Sequence, residues 1–149
     1  MRLRSACDAD LAALSDLCFR SKAVWGYDAA FMEACRAELT LAPCDLLESS
    51  VQVAESSGRI VGVVQVAVTG SEGSLEKLFV APDAMRTGAG RLLFVWAVET
   101  ARKQGAHTLT IDSDPGAADF YRRMGAHDAG VAPSGSVAGR WLPRLVFDL

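Results

Sequence analysis

Residues 75 to 93 read Leu-Glu-Lys-Leu-Phe-Val-Ala-Pro-Asp-Ala-Met-Arg-Thr-Gly-Ala-Gly-Arg-Leu-Leu. An apolar strand ending at Val80 runs through a proline-containing turn into Arg86, Thr87, Gly88, Ala89, Gly90 and Arg91, and an apolar helix follows. Glycine lets the backbone come close to a ligand, and the first amides of a helix have no partner inside it. Such a terminus holds phosphate through free N–H groups and the positive end of the helix dipole. Arg86 and Arg91 flank the loop and can add charge-assisted contacts. A pyrophosphate is the ligand that these residues suit.

The surrounding elements follow from periodicity and punctuation. Arg2 to Ala6 reads as a strand, and Asp8 is placed to cap a helix carrying Leu11, Leu14, Leu17 and Cys18. Asp28 caps a second helix with Phe31, Ala34, Cys35 and Leu39, and the link between the two contains Trp25-Gly26-Tyr27. Val51 to Glu55 and Ile60 to Thr69 read as strands joined by a tight turn at Ser57-Gly58. After Gly90 a helix places Leu92, Leu93, Trp96, Ala97 and Ala101 on one broad face and ends near Gly105. His107 to Ile111 is the next strand, and Asp114-Pro115 starts a helix that stops at Gly125. From Ala126 to the end, two strand candidates flank a loop rich in Gly, Ser and Pro. This pattern is one α/β domain over residues 1–149, with a sheet of mixed connectivity.

Composition narrows the class. The net charge of −3 offers no global attraction to nucleic acid or to an anionic membrane, so a phosphate site has to be local. Cys7, Cys18, Cys35 and Cys44 show no CxxC spacing, and buried reduced thiols are expected rather than zinc ligands or disulfides. No metal site is expected: Asp112 and Asp114 lack further ligands. The absence of a long apolar run makes a cytoplasmic location the expectation.

Three phosphate loops compete for the glycine segment. A Walker A loop needs a Lys after its last glycine, and none follows Gly88 or Gly90. A dinucleotide fingerprint needs its glycines directly after the strand, whereas residues 81 to 87 separate Val80 from Gly88. The segment resembles motif A of the GCN5-related N-acetyltransferase (GNAT) superfamily, [QR]xxGx[GA], with Met85-Arg86-Thr87-Gly88-Ala89-Gly90 in its place and Met85 where Gln or Arg is usual. Downstream, Ser113-Asp114-Pro115-Gly116-Ala117-Ala118-Asp119-Phe120-Tyr121-Arg122-Arg123-Met124-Gly125-Ala126 is similar to the family's motif B, SNxxAxxFYxxxGF. Asp114 replaces the usual Asn and Ala126 the usual aromatic, while the Phe-Tyr pair and the glycine are kept. The two matches span residues 75 to 126.

The resemblance implies the GNAT fold, a central mixed sheet splayed at a cofactor cleft with helices on both faces. It implies acetyl-CoA as co-substrate and direct transfer of the acetyl group to a primary amine. By position, the backbone of Leu78, Phe79 and Val80 would pair with the pantetheine amides, and an amide near Val80 would face the thioester oxygen. The amides of residues 86 to 91 would hold the pyrophosphate, and Asp114 would serve as helix cap and neighbour of the pantetheine. Tyr121 would protonate the departing thiolate, the alternative being simple packing of the helix on the sheet. Glu76 is the first candidate for the base, ahead of Glu72 and Glu33, with a water chain or a merely solvated Glu76 as the alternatives. Trp25 and Tyr27 would line the acceptor pocket or else belong to the core, and Arg140 would meet a substrate carboxylate or solvent. Asp112 and Asp114 would give the cleft a negative character suited to a cationic amine. The acceptor is expected to be a small-molecule amine, with a protein N-terminus or lysine as the alternative. A catalytically inactive CoA-binding sensor or interaction module is the reading from another class. Many relatives are dimers, so a homodimer is compatible with the resemblance.

Overall fold

The alternating residues of 50–56 and 59–69 form two antiparallel strands, β2 (Ser50–Ser56) and β3 (Arg59–Thr69). Their turn uses Ser57 at φ 52° and Gly58 at φ 75°, the left-handed pair that matches the twist of a tight hairpin. A computed structural model describes residues 1–149 and builds one seven-stranded sheet around this hairpin, in the order β1-β2-β3-β4-β5-β7-β6. The remaining strands are β1 (Arg2–Ser5), β4 (Glu72–Val80), β5 (Thr108–Asp112), β6 (His127–Pro133) and β7 (Trp141–Asp148). The helices are α1 (Leu11–Ala23), α2 (Ala29–Leu39), α3 (Pro43–Glu48), α4 (Ala89–Lys103) and α5 (Ala118–Arg123). Only β4 and β5 are parallel neighbours. Their α4 crossover is the connection that parallel pairing requires.

Both faces of the sheet are covered. Gly62 of β3 faces α4, because a Cβ there would lie 2.8 Å from Leu93 Cδ1. Alternation therefore turns Gln65 to the other face, where its amide donates to Asp45 and Ser49 around α3. The helix α1 lies on that second face, burying Leu14, Leu17, Cys18 and Ser21. The rings of Phe94 in α4, Phe120 and Tyr121 in α5, and Phe147 in β7 meet on the first face.

Several local expectations are corrected. The first helical segment is capped at Cys7 and not by Asp8: the Asp10 carboxylate reaches back to accept the Cys7 amide at 2.9 Å and is held by the Arg4 guanidinium. The buried stripe of α4 is rotated to Leu93, Phe94, Ala97, Val98 and Ala101, leaving Leu92 exposed. The short α3 was not foreseen, since six residues are too few to show a hydrophobic period. All four cysteines are free thiols, but only Cys18 and Cys35 are buried; Cys7 and Cys44 are exposed, each beside a helix start. Asp28 does cap α2, accepting the Phe31 amide at 2.8 Å.

The feature that makes a site is a break in the β4–β5 ladder. Pairing runs Glu72–Thr108, Gly73–Leu109 and Ser74–Thr110, and stops there. On the other side of β4 the register passes from Val66–Leu75 to Gln65–Lys77, so Glu76 is an extra residue. A bulge bends its strand. The second half of β4 stays with β3 and parts from β5, which opens a wedge in the middle of the sheet.

Candidate active site

One wall of the wedge is the free edge of β4. The Ala81 amide donates to the Val61 carbonyl at 2.8 Å, and the Phe79 carbonyl lies against Gly62. Antiparallel pairing alternates inward and outward groups, so the N–H and C=O of Leu78 and Val80 point away from β3 and into the wedge. Phe79, expected to share in cofactor pairing, turns its backbone to β3 instead.

The mouth of the wedge is the start of α4. After a short 3-10 turn at Pro82–Ala84, Arg86 and Gly88 both adopt left-handed backbone, at φ 64° and 92°. Thr87 steadies the loop by donating its hydroxyl to the Ala84 carbonyl. The first helical bond runs from the Leu92 amide to the Gly88 carbonyl at 3.1 Å. The amides of residues 86 to 91 have no acceptor within the protein. Arg86 and Arg91 are exposed and form no ion pair. Six free donors, two unpaired guanidiniums and a helix dipole fit a diphosphate.

The opposite wall comes from α5. The Phe120 ring and the Val80 side chain both lie within ordinary contact distance of where a Gly90 Cβ would be, at 3.5 and 3.8 Å. The end of β4, the start of α4 and the Phe120 ring of α5 therefore meet at one point. Tyr121 is more buried than Phe120, packs on Phe94 and Phe120, and its hydroxyl has no protein partner. Burial pushes its pKa up from the ordinary phenol value.

Asp114 caps the turn before α5, accepting the Gly116 amide at 3.0 Å, and it is also the centre of a polar cluster. The Tyr27 hydroxyl donates to it at 2.8 Å and the Lys22 ammonium at 3.2 Å, while Arg140 Nη2 stands 3.7 Å away and donates to the Tyr27 oxygen at 2.7 Å. Burial by itself would raise the Asp114 carboxyl; the Tyr27 hydroxyl, the Gly116 amide and Lys22 outweigh it and hold the group below the usual carboxylate range. The Tyr27 ring stacks on Phe31 with centroids 4.0 Å apart, and the Arg140 guanidinium lies over both rings. Trp25 is not core: it is 46% exposed and lies on Gly116, where a Cβ would come within 2.9 Å of the ring. The link after α1 and the loop before β7 thus close over the start of α5.

The family model described as "Acetyltransferase (GNAT) domain" matches residues 19–135. The chain belongs to the GNAT acetyltransferase family. Among solved structures this GNAT domain is similar to a GCN5-related N-acetyltransferase from Rhodopseudomonas palustris, at 22% identity and a TM-score of 0.82 over 99% of this chain and 95% of that one. It is similar to the PaiA N-acetyltransferase from Thermoplasma acidophilum in complex with coenzyme A, at 15% identity and 0.79 over 99% and 98%. A ribosomal-protein-alanine N-acetyltransferase from Brucella melitensis is 25% identical, with 0.68 over 98% and 97%. No curated protein matches the chain.

In this GNAT chain Leu78, Val80 and residues 86 to 91 line the wedge, Phe120 meets it at Gly90, and Tyr121 and Asp114 lie in and just before the same helix, α5. Trp25, Tyr27 and Arg140 gather at the start of α5, and Glu76 is an exposed residue at the bulge. Glu33 is an exposed partner of Arg36, and His107 and His127 are exposed. The expected negative cleft does not form: Asp112 is gripped by Arg144 at 2.8 and 3.0 Å, and Asp114 by the cluster above. Lys22 and Lys77 were missed. Lys22 follows Cys18 by four residues and so shares the buried side of α1, and Lys77 interrupts an apolar strand; both were signals in the sequence.

Proposed function

We propose that this GNAT domain transfers the acetyl group of acetyl-CoA directly to the nitrogen of a primary amine, most naturally that of a small molecule. The observation that carries the reading is the wedge between β4 and β5, with free strand-edge groups at Leu78 and Val80 leading to the unpartnered amides of residues 86 to 91. Those amides, with Arg86 and Arg91, would bind the diphosphate, and Leu78 and Val80 would pair with the pantetheine as an added strand. The Val80 N–H would then donate to the thioester oxygen as negative charge gathers there during attack by the neutral amine. Tyr121, protonated at neutral pH as any phenol is, would hand its proton to the leaving sulfur. Glu76, exposed and outside the β3 register, would take the proton of the incoming amine, directly or through water. No thiol nucleophile is required, and no free cysteine is assigned a step.

A protein N-terminus is the second acceptor class, favoured by the likeness to the Brucella melitensis structure. The test is release of free CoA from acetyl-CoA on addition of amines and of peptides with free N-termini. Turnover that is faster with small amines is the expected result. Tight acetyl-CoA binding without turnover on any of them would replace the enzyme by a CoA-binding module.

A further inference from the structure

The acceptor side of the wedge holds more positive charge than the fold consumes. Lys22 and Arg140 share one carboxylate, Asp114, and Lys77 pairs with none. Arg140 is the most telling. Its side chain is only 18% exposed, yet Nη2 alone is used, on Tyr27 and Asp114, while Nε and Nη1 have no acceptor in the protein. The Tyr27 and Phe31 rings hold its guanidinium plane in place. A guanidinium with unused N–H donors can give charge-assisted hydrogen bonds to an anionic group.

Lys77 adds to the same field. It lies opposite Gln65 in the register, on the sheet face that carries α1, and its ammonium donates to Gln65 Oε1 at 3.1 Å with no carboxylate in ion-pair range. The buried Cys18 of α1 feels its charge, and Lys22 follows Cys18 by one turn. Lys22 and Lys77 therefore flank one stretch of the α1–β4 contact. The diphosphate does not account for these cations, because the amides of residues 86 to 91, Arg86 and Arg91 lie at the α4 start.

We propose that the acceptor amine carries an anionic group, a carboxylate or a close phosphonate equivalent, received by a free N–H of Arg140, on Nε or Nη1, in the field of Lys22 and Lys77. The substrate class is then amino-acid-like amines and not simple cationic amines. This rests on the acetyl-transfer reading and makes it more specific.

Calorimetry with acetyl-CoA comes first: no binding would sink the acetyl-transfer reading itself. Acceptors are then offered as matched sets, each as the α-carboxylate, the primary amide, the decarboxylated amine and the aminophosphonate, with CoA release as readout. The carboxylate or phosphonate member should exceed the amide in kcat/KM by about tenfold or more. Between these two anions, the better substrate identifies the group. In Arg140→Gln that preference should fall to about twofold or less through KM, with acetyl-CoA affinity retained. Lys77→Met should lower the preference without touching the Arg140 contacts. Equal use of amide and carboxylate, or faster turnover of the decarboxylated amines, would overturn the proposal and leave acetyl transfer standing. If no acceptor turns over, the CoA complex is melted with N-acetyl amino acids and with their amides. A larger stabilisation by the carboxylates is expected, and equal stabilisation would overturn the proposal.

Discussion

Tyr121 and Asp10 show two uses of burial on a single ionisable side chain. Tyr121 sits among rings with no partner for its hydroxyl, and burial alone raises its pKa. Tyr121→Phe keeps the packing and removes only the proton; turnover should drop by about 10²-fold with acetyl-CoA affinity unchanged within twofold. Wild-type turnover in that variant would assign the residue to packing. Asp10 is the opposite case, lowered by hydrogen bonds from Arg4 against the cost of burial, with the Cys7 amide adding to the effect. A carboxyl lowered in the folded state stabilises above its ordinary pKa and loses that contribution as pH falls toward the folded value. Asp10→Asn should therefore cost about 2 kcal/mol near neutral pH. The gap between wild type and variant should close as pH falls below about 4, read by denaturant melts across that range.

At the scale of elements, the loop between β4 and α4 is built from two glycines with different duties. Gly88 is at φ 92° with open space around it, so its constraint is the backbone. Gly90 has ordinary helical geometry, and a Cβ there would touch Phe120 at 3.5 Å. Gly88→Ala should destabilise by about 1–2 kcal/mol and weaken acetyl-CoA binding, since the left-handed turn sets the amide directions. Gly90→Ala should fold at least as stably as wild type by thermal melting. Equal losses in both variants would mean that the loop is limited by space and not by conformation. The bulge at Glu76 is the companion device: it bends β4 just after the last β4–β5 pair, Ser74–Thr110.

For the whole molecule, the wedge leaves strand-edge groups and helix-start amides without protein partners, which a ligand can satisfy. A ligand that binds only the folded state stabilises by mass action, about 2.7 kcal/mol at a hundredfold excess over Kd. Acetyl-CoA should accordingly raise the melting temperature by several degrees, and Arg86→Ala with Arg91→Ala should reduce that shift while leaving the ligand-free melt within about 0.5 kcal/mol of wild type. A cofactor-independent melt would remove the diphosphate from the α4 start.

The sequence by itself determined what depends on near neighbours: the strand and helix order, the turn at Ser57-Gly58, the Asp28 cap, the glycine loop before α4 and the Phe120-Tyr121 pair one segment later. These are short-range matters of φ preference, period and motif spacing, so they are written locally. The tertiary structure decided what depends on register and on distant partners. The bulge that frees the β4 edge appears only in the pairing of β3 with β4, and it turns Leu78 and Val80 outward but Phe79 inward. The charge around the start of α5 was decided in the same way. Asp112 and Asp114 looked like free acids until Arg144 from β7, Lys22 from α1 and Arg140 from the loop before β7 came to meet them. A net field is a sum over contacts between residues far apart in the chain, and only the folded arrangement says which charges are already spent.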